Sequence, residues 1–163
     1  MIRVTKLALL AYAIAVIVVI SDQALKYWVL HVFDLPDRGS VPVIGPFRLS
    51  MVWNKGVSFG FLNGDFGWTR WALSAFDLAV ATGLALWVRR AERPLLAIAI
   101  GLVIGGAIGN LIDRLRIGAV ADFLDFHEVF FPWVFNIADS GITVGVILLL
   151  WDALMAPRKR APA

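Results

Sequence analysis

Four stretches of this chain are each long and apolar enough to cross a lipid bilayer, and that excludes most folds open to 163 residues. A helix needs about 20 mainly apolar residues to traverse the hydrocarbon. Residues 7–30, 68–88, 95–112 and 137–154 meet that requirement, the first opening on an apolar run from Leu7 to Ile20. Composition agrees: hydrophobic residues make up 60% and charged residues 17%, against about 25% charged in an average soluble chain. A small soluble globule, a disordered segment, collagen and a coiled coil are excluded on that balance. The expected fold class is an α-helical integral membrane protein with four transmembrane helices. Arg3 and Lys6 precede the first apolar run as in a signal peptide, but the run leads into Ser21-Asp22-Gln23-Ala24-Leu25-Lys26 without a small-x-small cleavage site, so a retained helix is predicted.

The basic residues report topology. Arg3, Lys6, Arg89, Arg90, Arg93, Arg158, Lys159 and Arg160 fall on one side of the predicted spans. Asp34, Asp37, Asp65, Asp122, Asp125 and Glu128 fall on the other. The positive-inside bias then places both termini in the cytoplasm, and the high pI of about 9.7 needs no nucleic acid to explain it. Trp28, Trp68, Trp71, Trp87 and Trp151 lie near span ends, as interfacial anchors do. Gly101, Gly105 and Gly109 share one face of the third span with Gly106 beside them, a pattern for close helix packing. A phosphate loop is excluded, because the lysine-serine pair and the strand context are missing.

The first outer loop, residues 31–67, is too long for a simple connector. Phe47, Leu49, Met51 and Trp53 alternate with Arg48, Ser50, Val52 and Asn54, which predicts a strand and a small sheet with its apolar face on the outer leaflet. Gly56, Gly60 and Gly64 suggest turns and bends. The second outer loop, residues 113–136, interleaves Arg114, Arg116, Asp122, Asp125 and Glu128 with aromatic residues and reads as an interfacial segment.

Ionisable groups in or beside a span are costly and need a reason. Asp22 and Lys26 stand four apart, acid before base, the favourable order for a helical ion pair. Asn110, Asp113 and Arg114 can share a face at the end of the third helix, while Asn136 and Asp139 open the fourth. Asp77 falls mid-way along the second span and reads as a buried polar contact. If the third and fourth helices are neighbours, Asp122 and Asp139 can meet at their outer ends. Two adjacent carboxylates cannot both ionise easily and share one proton. Asp113, Asp125 and Glu128 compete for that role on spacing alone. Other schemes fail earlier: His127-Glu128 lacks the second histidine of a zinc-protease helix, and Ser58 and Ser140 have no nucleophile elbow. Cysteine is absent, so disulfides, thiolate metal sites, a cysteine nucleophile and lipid attachment to this chain are excluded. A small transporter and a structural membrane partner are the readings from other classes. The first would place its ionisable residues near the midplane, whereas here, Asp77 apart, they cluster at the outer interface.

These segments resemble the signal peptidase II family, the bacterial lipoprotein signal peptidases. The resemblance is carried by SDQALKYWV (Ser21 to Val29), NKGVSFGFL (Asn54 to Leu62), GGAIGNLIDRLRIGAVADFLDF (Gly105 to Phe126) and FNIADSGITVG (Phe135 to Gly145), in order over nearly the whole chain. It implies one membrane-embedded peptidase domain over residues 1–163, in the bacterial inner membrane, with its site near the outer face. It implies an intramembrane aspartic endopeptidase with Asp122 and Asp139 catalytic. Asn54, Gly56, Asn110, Asp113, Arg114, Asn136 and Ala138 would form or support the site, and Asp22 and Lys26 would support it. The implied substrates are prolipoproteins whose cysteine already carries diacylglycerol, cleaved just before that cysteine among membrane lipid. The implied chemistry activates water between two carboxylates and calls for no metal or other cofactor. One departure is Ser58, where the family usually carries alanine; it bears on local loop packing rather than on catalysis.

Overall fold

The computed structural model describes residues 5–56, 67–129 and 131–155. Ser58, Gly60 and Gly64, with Arg3 and the basic run Arg158, Lys159 and Arg160, lie outside the described residues. Among the described residues, four helices are long and apolar enough to cross a membrane.

Helix α1 covers Lys6–Tyr27 and continues as a π-helical turn over Trp28–Val32. Thr5 caps its start, its hydroxyl accepting from the Ala8 N–H at 3.1 Å. A short helix α2, Leu35–Arg38, leads into strands β1, Ser40–Ile44, and β2, Phe47–Asn54. Helix α3 spans Gly67–Trp87, and helix α4, opened by its proline, spans Pro94–Arg116. Strands β3, Val120–Asp125, and β4, Val134–Phe135, precede helix α5, Ile137–Met155.

Helix α4 is the centre of the bundle: 61% of its apolar window is buried, against 17–22% for the other three. Its glycines allow this. A Cβ on Gly101 would lie 2.5 Å from the Ala11 carbonyl oxygen of α1, and one on Gly105 would lie 2.8 Å from that of Ala15. Gly106 faces the other way, where a Cβ would lie 2.3 Å from the Ala138 carbonyl oxygen of α5. The expected single glycine face therefore serves two neighbours, α1 and α5. Ala8, Ala11 and Ala15 are the buried stripe of α1, again small residues that permit close backbone approach.

The sheet extends beyond the first loop. Its order is β1-β2-β3-β4, all antiparallel, so the second connection supplies two of the four strands. The apolar face of β2 holds at Phe47, Leu49 and Met51, but Trp53 is 43% exposed. The cause is an irregularity in the β2–β3 register between Leu49 and Val52, which breaks the alternation. Leu49 and Phe123 pack on Val29 and Leu35, so the buried face of the sheet rests on the π-helical turn that ends α1 and on α2.

Candidate active site

Helix α4 runs one turn further than the apolar window suggests, through Arg116. It ends where Gly118, at φ 87°, turns its N–H back to the carbonyls of Asp113 and Arg114. The chain then reverses into β3. Asp122 therefore stands on a strand, not on the outer end of a helix as expected.

Asn136 sits just before α5 and makes a reciprocal cap with Asp139. The Asp139 N–H donates to the Asn136 side-chain oxygen at 2.9 Å, and the Asn136 N–H donates to Asp139 Oδ2 at 3.3 Å. This is the logic of a capping box, in which two orphan N–H groups are satisfied together. It fixes the rotation of the Asp139 carboxylate, whose second oxygen accepts from Asn110 Nδ2 at 2.8 Å.

The Asn136 amide also reaches the other aspartate, with Nδ2 2.7 Å from Asp122 Oδ1 and 3.3 Å from Asn110 Oδ1. Asn54 Nδ2 donates to Asp122 Oδ2 at 3.0 Å. That contact follows from the register: Asn54 pairs with Val120, which puts Asp122 diagonally across on the same face of the sheet. Asn54 is held in turn by the Gly56 N–H at 2.9 Å. Gly56 has φ 118°, and a Cβ there would lie 2.1 Å from Leu73 Cδ1 of α3, so only glycine fits.

Two carboxylates are thus joined by two asparagine amides at the meeting point of β3, α4 and α5. Burial, and then the charge of Asp139, push the Asp122 pKa up to about 7, against the hydrogen bonds from Asn54 and Asn136.

Behind the pair lies a buried ionic cluster. Lys26 Nζ is 2.8 Å from Asp22 Oδ2 and 2.7 Å from Asp113 Oδ2. The two acids are hooked to the backbone immediately before each aspartate of the pair: Asp22 Oδ1 accepts from the Ala138 N–H at 2.9 Å, and Asp113 Oδ2 from the Ala121 N–H at 3.2 Å. The expected Asp22–Lys26 pair is present, and it forms part of a larger frame. Gln23 completes the frame, donating to both acids and to the Gly109 carbonyl. It was not singled out from the sequence, although a polar residue between Asp22 and Lys26 on an apolar helix was the available signal.

Asn110, Asp113 and Arg114 lie within about one turn near the end of α4, as expected, but their side chains reach different neighbours. Asn110 turns to α5, Asp113 to α1 and β3, and Arg114 to α3, where Nη1 pairs with Asp77 Oδ2. The helix sits among three neighbours, so residues one position apart meet different partners.

The rival acids are engaged elsewhere. Asp125 accepts from the Ser50 hydroxyl and from the His127 N–H, with His127 Nδ1 at 2.8 Å. Burial alone would raise its pKa, but these partners outweigh it and hold the carboxyl below the usual range. Glu128 pairs with Arg48 at 3.5 Å. Ser140 directs its hydroxyl to the carbonyl of Asn136, the residue that precedes α5.

Comparison with known proteins decides the family. The family model described as signal peptidase (SPase) II matches residues 14–155. The chain belongs to the signal peptidase II family. A lipoprotein signal peptidase of Caulobacter vibrioides is 51% identical over 96% of this chain and 94% of its own length. One from Rhodopseudomonas palustris strain TIE-1 is 45% identical over 91% and 94%. Two solved structures described as bacterial membrane enzymes are each 31% identical, with TM-scores of 0.74 and 0.76. They cover 93% and 90% of this chain, and 94% of their own chains. As a member of this peptidase family, the chain is a membrane protease.

Proposed function

We propose that this protease is an aspartic endopeptidase in which Asp122 and Asp139 share one proton and activate water. The observation that carries the reading is the double amide bridge through Asn110 and Asn136, which holds both carboxylates at one junction. One carboxylate takes a proton from water as it attacks the scissile carbonyl. The other, protonated, donates to the carbonyl oxygen. The tetrahedral intermediate collapses as a proton passes to the leaving amine. The pair titrates as a unit, so the shared proton belongs to both groups. Water and two carboxylates complete this chemistry without a metal.

The substrate is a prolipoprotein carrying diacylglycerol on its cysteine, cut just before that cysteine to release the signal peptide. The family names of the relatives support this, as does a site at the polar end of an apolar bundle, where a lipid-anchored helix presents its cleavage point. The chain acts as one membrane-embedded peptidase domain in the bacterial inner membrane, both termini cytoplasmic and the site near the outer face. The basic residues at one end of the helices, Arg89, Arg90 and Arg93, support that orientation.

The test is cleavage of a purified diacylglyceryl-modified prolipoprotein in detergent micelles with EDTA, beside its non-lipidated precursor. Cleavage of the lipidated form alone, falling as pH rises above about 7 while the pair loses its proton, is expected. Equal cleavage of both forms would remove the lipid from the recognition, and abolition by EDTA would remove the two-carboxylate mechanism.

A further inference from the structure

Arg114 carries a charge into the bundle, and its counter-ion lies outside every motif that marks the family resemblance. Asp77 stands midway along α3, and its Oδ2 pairs with Arg114 Nη1, each side chain only 12% exposed. Arg114 follows Asn110 by one turn of α4, and Asn110 is the residue that donates to Asp139. Asp77 itself lies within electrostatic reach of Asp139. The Asp77 carboxylate thus stands between two charges, paired with the guanidinium and within electrostatic reach of Asp139.

The surrounding charges come from five elements. Asp122 of β3 interacts with Asp139 of α5, Asp139 in turn with Asp77 of α3, and Asp77 pairs with Arg114 of α4. Lys26 of α1 also acts on Asp122, but it is already flanked by Asp22 and Asp113. Arg70 of α3 donates to the Leu115 carbonyl. An uncompensated cation beside two carboxylates favours the state in which both are ionised. That state has no proton to give to the substrate carbonyl.

Resting on the dyad reading above, we infer that Asp77 is a positioning residue that holds and neutralises Arg114, so that the Asp122–Asp139 pair keeps its shared proton at neutral pH. Asp77 acts through the guanidinium, setting how much positive potential reaches the pair.

The test is the pH profile of kcat on a synthetic diacylglyceryl-cysteine peptide in micelles, for wild type, Asp77→Asn, Asp77→Glu and Asp77→Asn/Arg114→Gln. Asp77→Asn keeps size and a hydrogen-bond acceptor and removes only the charge. Its alkaline limb should move to lower pH by about one unit, with kcat on the acid side within a few-fold of wild type. Asp77→Glu should restore the limb. The double variant removes both charges and keeps the protein measurable should Asp77→Asn alone fold poorly. Its limb should stay at the wild-type position, whatever its absolute rate. A uniform loss of rate in Asp77→Asn with an unmoved limb, or an acid-shifted limb in the double variant, would overturn the inference. Asp139→Asn, assayed in parallel, separates the two levels. Cleavage by Asp139→Asn would sink the dyad itself, whereas an inactive Asp139→Asn beside an unmoved limb in Asp77→Asn would sink only the role of Asp77.

Discussion

Asn136 does three jobs with one side chain. Its oxygen caps α5 through the Asp139 N–H, its amide donates to Asp122, and the same amide reaches Asn110. The jobs separate by substitution. Serine can cap a helix but cannot bridge to Asp122. Asn136→Ser should hold its melting temperature near wild type while cleavage falls at least tenfold, the loss of one or more charge-assisted hydrogen bonds. Asn136→Ala should add a cap loss of about 1 kcal/mol. Equal activity in Asn136→Ser and wild type would remove the bridge from the mechanism. At this scale the sequence was informative where a motif carries the residue: Asp122 and Asp139 stand in two long motifs and meet at one junction. It was silent where a partner is distant. Asp77 and Arg114 are 37 positions apart, and only the packing of α3 on α4 reveals that each answers the other's charge.

Elements are set by close approach along α4. A methyl on Gly106 would press on the Ala138 carbonyl, at the first turn of α5 and next to Asp139. Gly106→Ala should displace that turn, lowering stability by about 1–3 kcal/mol and reducing cleavage more than stability alone explains. Gly83 of α3 has no atom within 4 Å of an added Cβ. Gly83→Ala should therefore leave activity unchanged and stability equal or higher by up to about 1 kcal/mol, as thermal unfolding in detergent would show. Similar effects at both positions would contradict the close-approach account. The four helices were legible in the sequence because apolar length is a direct requirement of the bilayer. Strands β3 and β4 were not. Val120–Asp125 mixes buried apolar and acidic residues on both faces, and β4 has only two residues, so neither shows a period. The extension of α4 through Arg116 was hidden as well, because Asp113 and Arg114 look like a polar end until their partners on α1 and α3 are known.

Across the whole molecule, one buried cation ties the bundle to the sheet. Lys26 lies between Asp22 and Asp113, and those acids hold the N–H groups of Ala138 and Ala121. Helices α1, α4 and α5 and strand β3 are thereby fixed relative to one another just behind the carboxylate pair. Removing one member of a buried ionic group leaves an uncompensated charge and costs about 3–5 kcal/mol, whereas neutralising the whole group is far milder. Lys26→Met should thus lose most of its folded yield, and Asp22→Asn/Lys26→Met/Asp113→Asn should recover it, judged by monodisperse elution in detergent. A Lys26→Met protein as stable as wild type would show that the cluster is not what aligns the elements. Hydropathy alone could not show this arrangement, since it identifies spans but not which spans touch. The i,i+4 spacing of Asp22 and Lys26 disclosed the pair and not the third member.

On the proposed mechanism, Asp122 and Asp139 act as one unit on water. Single-turnover cleavage of the diacylglyceryl-modified substrate by Asp122→Asn, Asp139→Asn and the double variant tests it most directly. Groups that act as a unit are strongly non-additive. Each single variant should lose at least about 10⁴-fold in rate while remaining folded, and the double variant should lose no more than either single one. A folded single variant that cleaves within tenfold of wild type, or a double variant far slower than both, would contradict a shared-proton pair.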